Sequence, residues 1–434
     1  MKKNYQTTTA AAPINELVMP EAVTVAMADL TGAVKEGLLA LAVGAGLQVM
    51  QILMEEDVTG LAGLKGRHDP GRVAKRHGSE DGSVTLGGRR VPVRRPRVRS
   101  ADGRREVAVP AYEAFTSTEI LDQLALERMM AKLSTRRYRA GLEPVGSAVT
   151  TAATSTSKSA VSRRFVARTE KALAEMMATD LSGLDLVALM VDGVHFAEHC
   201  CIVALGIGID GTKHPLGVVE GSTENATVVT ELFTNLRGRG LDVTRPVLVV
   251  IDGAKALAAA VKAVFDHPVI HRCQLHKIRN VEQKLPKSMA PTVTKKMRAA
   301  YRHESALAAE ADLETLARQL SKTHPGAAAS LREGLAETLT VNRLGVPPTL
   351  ARTLRSTNAI ESMIEICRDH STNVKRWRDG QMALRWCAAG MGEAAKQFRK
   401  VNGFLHLPAL RTALNAHIAE TAVTPIVYNE EAAA

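Results

Sequence analysis

Two acids in this 434-residue chain stand where an apolar run stops. Asp185 to Asp192 reads DLVALMVD and is followed by Gly193, while Pro246 to Asp252 reads PVLVVID and is followed by Gly253. Runs this short, rich in branched apolar side chains and closed by a turn dipeptide, predict buried strands. Each strand then delivers one carboxylate, Asp192 or Asp252, at the edge of a core. A single Asp-Gly is simply a turn after a strand. A pair of them holds two carboxylates rigidly together, and a later helix supplies a third acid. That helix opens at Ser356-Thr357-Asn358-Ala359-Ile360-Glu361, with Ser356 or Thr357 as its cap. Two strand-borne acids and one helix-borne acid form the oxygen-donor set that a pair of Mg²⁺ ions takes, because Mg²⁺ keeps several waters and needs few protein ligands. A metal pair of that kind activates the attacking oxygen of a phosphodiester displacement and stabilises the leaving oxygen.

The elements that position these acids come in a definite order. After Asp185–Asp192, strands are expected at Cys200–Ile209 and His214–Val219, joined by a turn at Asp210-Gly211. Helical periodicity runs through Ala226–Arg237, and strand Pro246–Asp252 leads into helix Ala254–Phe265. A short strand, Pro268–His271, precedes Cys273-Gln274-Leu275-His276 and another helix. Three strands in meander, then helix, strand, helix, strand, helix predict an α/β fold with an RNase H-like mixed sheet as its core. The chain then leaves that plan. Met297 to Leu339 is rich in Ala, Glu, Leu and Arg, is broken at His324-Pro325-Gly326, and is closed by Val346-Pro347-Pro348. An all-helical insertion is therefore expected between the strand core and the helix carrying Glu361.

The chain as a whole is basic. The formal net charge is +11 and the aromatic fraction only 3%, with a pI near 9.5. That balance calls for an anionic partner, and basicity alone does not choose between nucleic acid and a membrane surface. Leu30 to Asp57 has apolar residues at helical spacing, as one long helix or a helical hairpin. From Lys65 to Glu106 basic residues crowd together. Val84-Thr85-Leu86, Gly87-Gly88 and Arg89 to Arg99 predict a small hairpin, in which Arg89, Arg90, Arg94, Arg95, Arg97 and Arg99 line one face and contact phosphates. Thr116 to Leu133 returns to helix, and Gly141 and Pro144 break the chain after it. Ser157 to Phe165 then has the pattern of a recognition helix. Hydroxyls open it, Lys158, Arg163 and Arg164 are exposed for DNA, and Val161 and Phe165 turn to the core. A helix-turn-helix is expected there.

With those residues in view, the chain resembles the mutator-type family of bacterial insertion-sequence transposases, DDE enzymes on an RNase H-like core. The resemblance runs from about residue 30 to 420. It is carried by Met190-Val191-Asp192-Gly193, by Val250-Ile251-Asp252-Gly253, by Cys273-Gln274-Leu275-His276 as the family's Cys-or-Asp, two residues, His signature, and by Ser356 to Glu361 with Arg368 seven residues on. Asp192 and Asp252 are 60 residues apart and Glu361 follows 109 later, a gap that suits the inserted helical domain. The resemblance implies that Asp192, Asp252 and Glu361 are catalytic and coordinate two Mg²⁺ (or Mn²⁺) ions. It favours Glu361 over Glu365, because Asn358 and Arg368 fit the motif around the former. Seven residues is about two helical turns, so Arg368 shares a face with Glu361, unless it merely pairs with Glu365 or Asp369. Cys273 and His276 are expected to support the site. No second pair is spaced to complete a zinc site with them. Arg368, Lys375 and Arg376 would hold phosphates near the scissile bond. The implied reaction is water attack that frees a 3′-hydroxyl at the element's end, followed by attack of that hydroxyl on target DNA. The implied partners are double-stranded DNA (terminal inverted repeats and target) and a second copy of the chain, as a homodimer.

The expected organisation is a flexible lead over 1–29, a helical and basic hairpin region over 30–110 and a helix-turn-helix region over 111–180. The strand-bearing segment of the RNase H-like core covers 181–285 and the helical insertion 286–352. The core resumes over 353–422 with the C-terminal helices, and a tail occupies 423–434. Five cysteines without framework spacing predict a reducing compartment. The lead Met1-Lys2-Lys3 and its polar continuation have no signal-peptide apolar core, and Gly37 to Met54 is interrupted by Gln48, Gln51 and glycines, unlike a membrane span. The expected location is the bacterial cytoplasm, on the nucleoid when DNA is bound. The competing readings are a catalytically inactive, transposase-derived DNA-binding regulator, a different RNase H-like nuclease such as a junction resolvase, and a basic surface-binding protein. The resolvase would be much shorter, and the surface binder leaves the paired acids unexplained.

Overall fold

A computed structural model describes residues 37–67, 71–143, 145–221 and 225–423. The expectations for the lead over 1–29, for the start of the first helix before residue 37, for Pro144 and for the tail beyond residue 423 lie outside the described residues. The chain divides into two units, one of residues up to 128 together with 133–165, the other of 129–132 together with 166 onward.

The first unit is a long helix, α1 (Leu38–Ala62), followed by a two-stranded ribbon, β1 (Ala74–Leu86) and β2 (Arg89–Ser100), with a short third strand, β3 (Glu106–Val107). The ribbon turns at Gly87 and Gly88, both at positive φ (55° and 75°), where side-chain-bearing residues are disfavoured. Gly88 also meets Leu142 so closely that an added Cβ would lie 2.9 Å from it. Met54, Val58 and Ala62 of α1 pack with Ala74, Val98 and Val109. β1 is far longer than the three residues expected from apolar alternation. Its polar outer half is held by charge instead, since Glu80 pairs in register with Arg95 and Asp81 with Arg94. Helices α2 (Pro110–Thr116), α3 (Glu119–Met130), α4 (Ser147–Ala152) and α5 (Lys158–Ala178) follow. Val161 and Phe165 of α5 are buried, whereas Lys158 and Arg163 are exposed.

The second unit is built on a five-stranded mixed sheet. Strands β4 (Leu186–Phe196), β5 (His199–Gly208) and β6 (Lys213–Gly221) form an antiparallel meander. Helix α6 (Ala226–Gly238) leads to β7 (Val247–Ile251), α7 (Lys255–Val264) to β8 (Pro268–Arg272), and both strands join in parallel. The order across the sheet is β6-β5-β4-β7-β8. β4 is buried on both faces, which explains its unbroken apolar run. Met190 and Val187 enter one core, and Leu189 and Val191 the other, beneath α6 and α7. Helix α8 (Gln274–Glu282) then opens a separate helical block of α9 (Ala290–Ala300), α10 (Ala306–Ser321), α11 (Pro325–Arg332), α12 (Leu335–Thr338) and α13 (Thr340–Arg343). Pro325 occupies the first turn of α11, where its missing N–H costs nothing, so the predicted break is a helix start. Lys277 of α8 is only 1% exposed and donates to the carbonyls of Ser330 and Glu333 at 2.7 and 2.6 Å, tying α8 to α11. Burial pushes its pKa down to about 8. Helices α14 (Pro348–Leu354), α15 (Asn358–His370), α16 (Gly380–Ala395) and α17 (Leu407–Val423) close the chain, and α15 and α16 cover the Met190 face of the sheet. All five cysteines are buried, and none is in a disulfide.

Candidate active site

Asp192 and Asp252 owe their positions to the parallel pairing of β4 with β7. Ala188 faces Leu248, Leu189 faces Val249 and Met190 faces Val250, a constant step of 60 residues. Carried past the last paired residues, the same step brings Asp192 level with Asp252. The two strands are also fixed at their other ends. Arg411 of α17 donates to the carbonyls of Leu186 and Pro246 at 2.6 and 2.7 Å. One expectation is corrected here. β4 does not end at Asp192 but runs on to Phe196, because β5 continues to pair with it, Gly193 opposite Ile202 and Val194 opposite Cys201. What stops at this level is the neighbour β7, at Ile251. Asp192 thus lies where one side of its strand becomes open. At the second Asp-Gly, Gly253 has φ 107°, and an added Cβ would lie 2.8 Å from the Arg272 side chain, which itself pairs with Glu337 at 3.2 Å. Only glycine suits that turn. The Asp252 carboxylate caps the Ala254 N–H at 2.8 Å, and that of Asp192 accepts the Gly193 N–H at 2.8 Å.

Glu361 arrives from elsewhere, in the first turn of α15, where the partial positive charge of the helix N-terminus favours a carboxylate. The residue before the helix, Thr357, is fully buried and spends its hydroxyl on Glu361 rather than on a backbone cap. Its Oγ1 donates to Glu361 Oε1 at 2.6 Å. The same hydroxyl lies 3.4 Å from His276 Nδ1 and 3.5 Å from Cys273 Sγ. Cys273 and His276 flank the start of α8, whose first backbone N–H, that of Gln274, is bonded to the Arg355 carbonyl at 3.0 Å. Sequence spacing offers no third ligand to Cys273 and His276, yet Glu361 joins them, with one donor atom of each within 4.8 Å of the others. The Thr357 hydroxyl sits among these three side chains and gives its one proton to Glu361, so together they form a bracket for that carboxylate. A structural zinc site would need a fourth ligand in that space. Burial alone would raise the Cys273 thiol, but hydrogen bonding to His276 and Thr357 outweighs it and holds the thiol below its ordinary value. The hydrogen bond to Cys273 raises the His276 ring above its ordinary value against its burial, with support from the charges of Glu361 and Asp192. His276 therefore lies within the field of both acids.

Asp192, Gly193, His276, Arg279, Glu361, Ile364, Glu365 and Arg368 line one cleft of about 580 Å³. Asp252 does not line it. It stands at the end of the adjacent strand. Asp192 and Glu361 present only hard oxygen donors to this cleft, which suits a divalent cation that favours carboxylates and water. Glu365 is exposed, and Glu361 only half so. Arg368 is exposed, and of the two acids offered as its ion-pair partners Asp369 pairs instead with Lys132 at 2.6 Å. Sequence reasoning does not single out Arg279. It lies three residues after His276 on α8, and that spacing puts both on one face.

The remaining expected phosphate-binding residues are divided. Arg89 is buried and donates to the Glu143 carbonyl at 2.9 Å. Arg90 donates to the carbonyls of Ser83 and Thr116 at 3.0 and 2.6 Å. Arg94, Arg95 and Arg97 are paired with Asp81, Glu80 and Glu106, and Arg99 lies 3.4 Å from the Gly103 carbonyl. The expectation of a free guanidinium face is therefore corrected. Acids opposite in register and backbone carbonyls already engage most of it. Arg164 likewise donates to the Ser155 carbonyl at 2.6 Å and pairs with Asp122. Lys375 and Arg376 are exposed. Asn358 faces away from the acid cleft, into a second one described below.

Comparison with known proteins supplies the family. Residues 24–401 match the family described as Transposase, Mutator family. The chain is 25% identical over 366 residues to the transposase for insertion sequence element ISRM5 of Rhizobium meliloti (strain 1021), covering 84% of this chain and 90% of that protein. It is 30% identical over 239 residues to the transposase for insertion sequence element IS6120 of Mycolicibacterium smegmatis, covering 54% and 72%. To the transposase for IS256 in transposon Tn4001 of Staphylococcus aureus it is 26% identical over 296 residues, covering 67% and 74%. A family of DNA-cutting or DNA-transferring enzymes is thereby defined. The chain belongs to it, as a mutator-type insertion-sequence transposase. Among the described residues no helix is long and apolar enough to cross a membrane.

Proposed function

We propose that this transposase cuts and joins DNA at Asp192, Asp252 and Glu361, on a sheet of RNase H-like topology. The observation that carries the reading is the meeting of strand-borne and helix-borne acids. Asp192 and Glu361 share one cleft, and Asp252 is level with Asp192 on the next strand. These three carboxylates would hold two Mg²⁺ (or Mn²⁺) ions. Bound there, the ions would activate the attacking oxygen and stabilise the leaving oxygen of each phosphoryl transfer.

The chain's own groups do the rest. Thr357, itself in contact with His276, fixes the Glu361 carboxylate in orientation through its hydroxyl. Arg279 and Arg368 supply guanidinium groups in the acid cleft, where they would pair with the non-bridging oxygens of the scissile phosphate and orient it. No covalent enzyme intermediate is needed, since water and then the freed 3′-hydroxyl are the nucleophiles. Lys158 and Arg163 on α5, with Lys375 and Arg376 before α16, are exposed cations for the terminal inverted repeats and target DNA. Two ends must be brought together, so the working species is a homodimer. The expected location is the bacterial cytoplasm, with the nucleoid as the site of action.

Incubated with duplex DNA carrying the element's terminal repeats, the purified chain should nick and join it in Mg²⁺. Both activities should fall to background when EDTA replaces the metal, with end binding retained in part. Cutting that proceeds at the same rate in EDTA would refute the reading.

A further inference from the structure

A second cleft, of about 640 Å³, lies beside the acid cleft and shares two of its walls. Helix α8 turns His276 and Arg279 into the acid cleft and Leu275 and Ile278 into the second. Helix α15 gives Glu361 to the first and Asn358, three residues earlier, to the other. The facing wall comes from the helical insertion and from α14. Its charged side chains are Arg298, Arg302, Arg352 and Arg355, and among the described residues no acid lines the cleft.

Four guanidinium groups gathered without a counter-charge repel one another. Arg298, Arg302 and Arg352 are exposed, and none of them has an ion-pair partner among the described residues. This contrasts with the ribbon, where Arg94, Arg95 and Arg97 each meet an acid. Arg355 is half-buried, its Nε is shut off from solvent without a hydrogen-bond partner, and burial holds its pKa below the ordinary value. A cluster that leaves donors unsatisfied and charges unopposed is complete only with an anion in it. Guanidinium groups in this number suit phosphate oxygens, which they bind through paired donors.

We propose that this cleft binds the phosphodiester backbone of the duplex flanking the scissile bond. The inference rests on the DNA-cutting reading above and extends it. The acid cleft takes the reacting phosphate, and the arginine cleft takes its neighbours across the α8 and α15 walls. Arg298, Arg302 and Arg352 bind at the exposed end, and Arg355 closes the buried one. The helical insertion thereby acquires a role. It brings Arg298 and Arg302 opposite the helix that carries Glu361.

The test uses the full chain and a duplex that carries the element's terminal repeat and continues into flanking DNA. Binding is measured over a salt series for the parent and for R298A/R302A/R352A, with thermal melting as a check on folding. Each phosphate that goes unpaired lowers the slope of log affinity against log salt by about 0.9, so the triple variant should flatten it by about 2.7 and bind at least about tenfold more weakly at low salt. An unchanged slope and affinity would overturn the inference while leaving the DNA-cutting reading intact. A parent that neither binds nor cuts the duplex would overturn both. Should the triple variant fail to fold, R302C offers a second measurement, cross-linking to duplexes bearing a thiol-reactive tether at successive backbone positions. Cross-links on the flank beside the cleavage point support the inference, and their absence from every tether position refutes it. If the cleft instead takes a second copy of the chain, the triple variant loses self-association and keeps the parental salt slope, which also refutes it.

Discussion

Glu361→Gln is expected to lower cutting and joining by about a thousandfold or more, whereas Glu365→Gln stays within a few fold of the parent. Both acids line the same cleft, four residues apart on one helix. They differ in how they are held. Glu361 is half-buried, accepts the Thr357 hydroxyl at 2.6 Å and lies 3.9 Å from His276 Nδ1. Glu365 is exposed, with no hydrogen-bond or ion-pair partner among the described residues. A metal ligand must be fixed before the ion arrives, and only the first acid is. Replacing a charged ligand by an amide removes several kcal/mol of transition-state stabilisation, and about 1.4 kcal/mol is tenfold in rate. Gln keeps the volume of Glu and can still accept from Thr357, so the fold and end binding should persist. Single-turnover cleavage rates and end affinities, measured for both variants, check this. Full activity in Glu361→Gln with loss in Glu365→Gln would reassign the third ligand.

Thr357→Val is expected to slow the reaction by roughly 10- to 100-fold and to raise the Mg²⁺ concentration needed for half-maximal rate, with end binding unaffected. Valine fills nearly the same space, so the change removes a hydroxyl and little else. That hydroxyl is the common partner of Cys273, His276 and Glu361, and leaving buried polar groups unmatched costs about 1–3 kcal/mol. Thr357→Ser keeps the donor and should recover most of the rate. A residue that merely filled space would give the opposite order, with Val near the parent and Ser impaired. The Mg²⁺ titration separates misplacement of a ligand from simple destabilisation, because a less stable fold loses active molecules without changing the metal requirement of those that remain.

Much of the core can be read from sequence because its signals are local. An apolar run buried on both faces, an acid, a glycine and the next helix follow one another directly around Asp252. The paired acids even carry their own register, since their 60-residue separation equals the offset of the parallel ladder. The hairpin turn at Gly87-Gly88 is equally local. What escapes the sequence depends on partners distant in the chain. β4 continues past Asp192 because β5 supplies Ile202 and Cys201 to pair with it, and nothing within DLVALMVDG reports that. The arginines of β2 look free in sequence because the expected first strand starts only at Val84, whereas β1 runs back to Ala74 and sets Glu80 and Asp81 opposite Arg95 and Arg94, and Glu106 comes from a third strand. Thr357 reads as an ordinary helix cap. Its hydroxyl points to Glu361 because a folded neighbour, α8, brings Cys273 and His276 to it. The arginine cleft is invisible for the same reason, its walls being drawn from stretches around residues 298 and 352 that never meet in the sequence.

Asp252 bears most directly on whether the three acids share metal ions, because it belongs to the set by strand register while standing outside the cleft that Asp192 and Glu361 line. The decisive measurement is DNA nicking by Asp252→Cys in Mg²⁺ and in Mn²⁺. Thiolate is a poor ligand for Mg²⁺ and a better one for softer ions. If Asp252 is a metal ligand, the variant is inactive in Mg²⁺ and regains activity in Mn²⁺, relative to the parent in each metal. Parental activity of Asp252→Cys in Mg²⁺ would remove Asp252 from the metal site and contradict the account.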